Sequence, residues 1–196
     1  MRCFVAFELS VEVRSGLVAI AQELRGLEPA WAGEKWVEPE LMHVTSRFLG
    51  EVDDQLVPGL AHAIGEAAAL ACSFALEFDS LRAIPRIGAA SLLWAEARDI
   101  TGACRELADS VAGVAAGFGV IPEARPYVPH VTLVRARRKR PVDSGRLQTA
   151  WSSATGATPL VMSVPSVTFF RSSLSPIGPV HERIAQFALG HPYGPS

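Results

Sequence analysis

The chain of 196 residues has no asparagine, only two lysines (Lys35 and Lys139) and three cysteines. It also has no apolar run approaching the roughly 18 residues of a membrane-spanning helix. Each shortage excludes something. Nearly all positive charge falls on arginine, the side chain that grips phosphate bidentately, although a GC-rich genome gives the same bias. Cys3, Cys72 and Cys104 are odd in number, far apart and without a C-x-x-C pair. That excludes a disulfide framework and a cysteine metal site, and leaves them as buried small apolar residues. No basic-then-apolar segment opens the chain, so a cytoplasmic protein is expected. The net charge of −2 excludes a general nucleic-acid coat protein, whose basic surface would show in the total. With 49% apolar and 19% charged residues, the chain can bury a substantial core.

What is present is a duplicated motif. His43-Val44-Thr45-Ser46 and His130-Val131-Thr132-Leu133 each place a threonine two residues after a histidine. With seven threonines in the chain, any one histidine has about a 4% chance of such a neighbour. Two hits among five histidines are then roughly a 1% accident. On a strand, residues two apart share a face, so each motif offers an imidazole and a hydroxyl side by side. Two such strands facing one another would enclose a small anionic group. One neutral imidazole can take a proton from water while a charged one gives a proton to a leaving group, and the hydroxyls can donate to non-bridging phosphate oxygens. That set suits phosphodiester hydrolysis. A lone histidine on a half-buried strand is usually structural; it is the duplication that favours chemistry. His62, His181 and His191 lack such a partner and read as structural or solvated.

Along the chain, residues 2–9 read as a strand, and Ser10 caps a helix to about Arg25. A strand over 41–49 carries the first motif, and a helix from Asp53 runs to about Ala71. Strands over 74–81 and 91–97 can pair as a hairpin, and a helix covers about 101–116. The second motif lies in a strand over 128–135. A short helix over 144–152 and strands over 160–164, 167–172 and 180–184 complete the chain. Strands and helices intermix without strict alternation, which predicts an α+β architecture with antiparallel or mixed sheets. The motifs, 87 residues apart, suggest two related lobes facing across a cleft within one bilobal unit spanning 1–196.

Several segments besides the motifs resemble one known family in the right order. They are Phe4-Val5-Ala6-Phe7-Glu8-Leu9, Trp36-Val37, Leu41-Met42-His43-Val44-Thr45, Phe48-Leu49-Gly50-Glu51-Val52, Leu93-Trp94, the run from Arg125 to Leu133, Phe170-Arg171-Ser172 and the run from Ser175 to Pro179. On these the chain resembles the RNA 2′,3′-cyclic phosphodiesterases of the two-histidine phosphoesterase superfamily, also called the bacterial 2′-5′ RNA ligase family. The resemblance implies a bilobal fold, two sheets across a central cleft, and hydrolysis without metal or other cofactor of a 2′,3′-cyclic phosphate at RNA ends or in small nucleotides. It also implies His43 as proton donor and His130 as proton acceptor; the motifs alone are equivalent and do not assign the roles. Ser46 stands where the family usually has an apolar residue, and His181 where it often has tyrosine.

Thr45, Thr132, Arg47, Arg125, Arg135 and Tyr127 are the expected substrate contacts. Strand alternation puts Arg47 on the face of His43. Arg135 has the wrong parity relative to His130 and would reach the cleft only if the strand had ended. The run from Arg135 to Arg140 reads as a solvated loop before it reads as an RNA track, and Trp94 as packing or a base-stacking surface. The partners expected are RNA ends bearing cyclic phosphate or cyclic nucleotides, with no membrane and a monomeric state. A different class, an RNA-end binder without turnover, would not need both imidazoles. An end-joining enzyme would use the same residues in reverse.

Overall fold

In the computed structural model, which describes residues 1–121, 126–176 and 178–190, two antiparallel sheets flank a cleft. The first contains β1 (Arg2–Glu8), β3 (His43–Glu51), β8 (Ser166–Ser175) and β9 (Gly178–Ala188), in the order β3-β1-β8-β9. The second contains β2 (Lys35–Trp36), β4 (Phe74–Ile84), β5 (Ala90–Asp99), β6 (His130–Arg140) and β7 (Leu160–Val164), in the order β2-β6-β5-β4-β7. Every pairing is antiparallel. The expected α+β class and the β4–β5 hairpin are as observed.

Helix α1 (Val11–Leu27) starts where Ser10 accepts a hydrogen bond from the Val13 N–H, and buries Val13, Leu17, Ile20 and Leu24 along one stripe. That spacing of three and four is the one that puts side chains on a single helical face. A four-residue helical turn, α2 (Pro29–Ala32), follows it. Although α1 leaves β1 of the first sheet, its buried stripe packs on α5 (Ser144–Thr155) and β7 of the second. Conversely α4 (Ala103–Ala116) leaves β5 of the second sheet and packs with α3 (Val57–Leu70) beneath β3, β8 and β9 of the first. Each sheet is therefore backed in part by a helix that follows a strand of the other, and the buried apolar residues of both sheets form one continuous cluster. No described helix is long and apolar enough to cross a membrane.

Two expectations shift here. Cys3 and Cys104 are buried as expected, but Cys72, just past the end of α3, is exposed. The run from Arg135 to Arg140 is strand rather than loop, because β6 continues to Arg140 beside β5 and β2. Arg140 in that run forms an ion pair with Glu34 and covers the Trp31 ring.

Candidate active site

β3 and β6 each bring their histidine to the cleft with the same local device. His43 Nδ1 lies 2.8 Å from the Leu41 carbonyl oxygen, and His130 Nδ1 lies 2.8 Å from that of Val128, two residues upstream in both cases. A carbonyl can only accept, so each Nδ1 carries the hydrogen and each Nε2 is left as the basic nitrogen. Each ring also rests on an aromatic one. Phe4 stacks on His43 at 5.0 Å between centroids, and Trp94 stacks on His130 at 3.9 Å. Trp94 is thus a support for the His130 ring. In register with the histidines stand Glu8 and Glu96, and each is engaged by an arginine of its own sheet, Arg183 and Arg82.

The likeness extends past the threonines. Along β3 the register passes from Thr45 opposite Ala6 to Arg47 opposite Val5, so Ser46 is an extra residue. Along β6 it passes from Thr132 opposite Trp94 to Val134 opposite Leu93, so Leu133 is extra. Each strand carries a β-bulge at the same place, and a bulge reverses the facing of everything beyond it. In consequence Arg47 turns away from the cleft. It is buried, donates to the Ala108 carbonyl oxygen and pairs with Asp109 on α4, so it is not the phosphate contact that simple alternation predicts. Phe48 takes the cleft-facing place instead. By the same reversal Arg135 enters the cleft although the strand has not ended.

His43, Thr45, Phe48, His130, Thr132 and Arg135 thereby line one cavity of about 970 Å³ between the sheets. Arg2, Phe4, Trp36 and His181 line it too. Tyr127 does not: its hydroxyl lies 3.4 Å from Cys104 Sγ, and burial pushes its ionisation well above the usual phenol range. Arg125 and His191 lie outside the described residues. His62 is exposed and faces Glu66 one turn along α3, in keeping with a solvated residue. His181, read from sequence as structural or solvated, is in the cleft. Phe48 could have been found only by foreseeing the bulge, and His181 had no local signal.

Burial, before all else, pushes the His43 imidazole down to about 4; positive charge on His181, His130 and Arg135 lowers it further, while the Leu41 carbonyl opposes the shift. Free of substrate, His43 is therefore neutral at pH 7. Among the described residues no three His, Cys, Asp or Glu side chains are grouped as a metal site would need. The Ser46 hydroxyl, 2% exposed at its bulge, has no hydrogen-bond partner among the described residues. Ser46→Ala should therefore stabilise the fold by about 1 kcal/mol, the usual cost of an unsatisfied buried polar group. Chemical denaturation checks it, and a lower midpoint in the variant would show that the hydroxyl is satisfied.

A model of the LigT-like phosphoesterase family matches residues 8–94 and 96–181, so that each stretch contains one histidine-threonine motif. The chain belongs to this family. The LigT-like phosphoesterases are hydrolases, and this member carries the two motifs on corresponding strands of its cleft. It is 30% identical over 203 residues to a protein of Thermus thermophilus named RNA 2′,3′-cyclic phosphodiesterase, covering 99% of this chain and 93% of the relative. To a protein of the same name from Archaeoglobus fulgidus it is 28% identical over 187 residues, covering 95% and 99%. Among solved structures, TT0787 of Thermus thermophilus superposes with a TM-score of 0.80 at 25% identity, covering 97% of this chain and 99% of that one. E. coli LigT in apo form shares the fold, with a TM-score of 0.70 at 22% identity over 96% of each chain.

Proposed function

We propose that this LigT-like phosphoesterase opens 2′,3′-cyclic phosphates at RNA ends or in small nucleotides, giving a 2′-phosphomonoester by acid-base catalysis without a metal. The observation that carries this is the pair of imidazoles pinned through Nδ1, each beside a threonine, in one cavity. The names of the curated relatives supply the substrate class. In the reaction, His130 Nε2 takes a proton from water, whose oxygen attacks phosphorus. The bond from phosphorus to the 3′ oxygen breaks, and protonated His43 gives its proton to that oxygen. Thr45, Thr132 and Arg135 stabilise the charge gathering on the non-bridging oxygens. The five-membered ring is strained and tethers its leaving oxygen, so proton transfer and donors suffice.

Hydrolysis of a 2′,3′-cyclic mononucleotide in EDTA, with chromatographic separation of the isomers, tests both points. Turnover should persist and yield the 2′-phosphate. A 3′-phosphate product would mean the nucleotide sits the other way round, abolition by EDTA would mean that a metal takes part, and binding without turnover would make this a binding module.

His43 must be charged to act as donor, yet burial holds it neutral when the cleft has no anion. The reactive enzyme is the singly protonated pair, which forms as the doubly charged pair loses one proton. The profile of kcat/KM should therefore rise with pH through about 4, where His43 titrates in the free enzyme. In kcat the same limb should lie at higher pH, because a bound phosphodiester anion favours the imidazolium. Initial rates across pH, at substrate concentrations below and above KM, check this. A kcat/KM limb near the ordinary histidine value with none at lower pH would remove His43 from the pair.

A further inference from the structure

Strand β4 outruns its neighbour on one side. β5 pairs with it from Leu76 to Ile84, whereas β7 pairs only from Phe74 to Phe78. Among the described residues β4 has no other neighbouring strand. From Ser80 to Ile84 its second edge is therefore open, and no backbone hydrogen bond joins that edge to any other described segment. Helix α5 stands beside this edge without closing it. Between them lies a cavity of about 900 Å³, lined by Leu81 of the strand and by Leu147, Gln148, Trp151 and Ser152 of the helix, with Arg86 just past the end of the strand. Three charged residues line this groove, Asp79, Arg82 and Arg86. Asp79 is paired with Arg98 and Arg82 with Glu96. The exposed Arg86 side chain has no ion pair or hydrogen bond among the described residues.

We propose that this groove docks an extended peptide of another protein, which adds a strand to β4 and sets a carboxylate on Arg86. An open edge offers main-chain N–H and C=O groups at strand spacing, the template on which a further strand forms. Folds usually blunt such an edge with a charged side chain or cover it with a helix. Here Arg82 is drawn across the sheet to Glu96, and α5 leaves room for a chain. The open stretch is about 17 Å long at the rise of a strand, enough for five or six residues of an incoming peptide. Side chains on one face of that peptide would meet Leu81, Leu147 and Trp151, and the one uncompensated charge along the groove is positive, which selects an acidic partner. Every pairing in this sheet is antiparallel, and β4 runs toward Arg86. An added strand of the same sense therefore carries its acidic residue first and alternating apolar residues after it. Since β5 separates β4 from β6, the groove is distinct from the catalytic cleft, and its occupant would tether the phosphoesterase rather than enter its site.

Panning a phage library of random nonapeptides on the whole protein, followed by fluorescence-anisotropy titration of the selected synthetic peptides, tests this. Selected peptides should carry Asp or Glu ahead of alternating apolar residues, and should slow amide exchange in residues 80–84. Gln148→Trp, which fills the groove from the exposed side of α5, should abolish their binding. Arg86→Glu should weaken it by about fivefold, the scale of an exposed ion pair, and a peptide with lysine in place of the acid should bind that variant better than the original peptide does. Thermal melting establishes that both variants are folded. Selection of no peptide sensitive to Gln148→Trp overturns the proposal, as does binding that leaves the amides of residues 80–84 unprotected. A dimer in sedimentation that Gln148→Trp dissolves also overturns it, because the occupant is then a second copy of this chain.

Discussion

His43→Ala and His130→Ala are each expected to lower turnover of a 2′,3′-cyclic nucleotide by roughly 10²- to 10⁴-fold, the contribution of a positioned acid or base. Neither change should unfold the protein. Each imidazole is held by a backbone carbonyl oxygen and a stacked aromatic ring, and neither residue is fully buried. Steady-state kinetics with circular dichroism as the control for folding checks both variants. The double variant should lose little more than the worse single one, because acid and base act on one transition state and their effects do not add. Near-wild-type turnover in either single variant would take that histidine out of the mechanism.

The second largest effect should come from the hydroxyls. Thr45→Ala and Thr132→Ala are expected to cost on the order of 10- to 10³-fold in kcat/KM, since each removes a neutral donor aimed at developing negative charge. Thr45→Ser and Thr132→Ser keep that donor and should recover most of the loss. Equal losses in the alanine and serine variants would mean that the threonine methyl groups set the strand packing and that the hydroxyls do not touch phosphate.

The centre of the candidate site is legible in the sequence because it is local. Two residues on one strand share a face whatever the strand packs against, so the two-residue spacing alone places His43 with Thr45 and His130 with Thr132. Parity fails one step further on, at Arg47 and Arg135, because a single extra residue in each strand reverses facing and bulges have no dependable signature in side-chain type. The same reversal misplaces both arginines in opposite senses. His181 escapes for another reason: its position depends on the long-range pairing of β9 with β8 and of β8 with β1, which no local pattern encodes. Tyr127 reads as a substrate contact because its ring could stack on a base, but it packs outside the cleft with its hydroxyl against Cys104 on α4. The α+β class and most elements follow from periodicity, whereas the crossing of α1 and α4 to the opposite sheet does not, because they carry nothing in their own sequences to say which sheet their apolar stripe will cover.

That crossing has a mechanical consequence. In enzymes whose two halves fold separately, a linker acts as a hinge and the jaws close on the substrate. Here each jaw is backed by a helix that follows a strand of the other jaw, so spreading the sheets would drag α1 off β7 and α4 off β3, exposing their buried stripes to water. The two imidazoles are therefore held as in a bench vice with its screw already set. Their separation is fixed when the core forms, so on the proposed function a cyclic phosphate would be selected by its fit to a gap that it has no power to adjust.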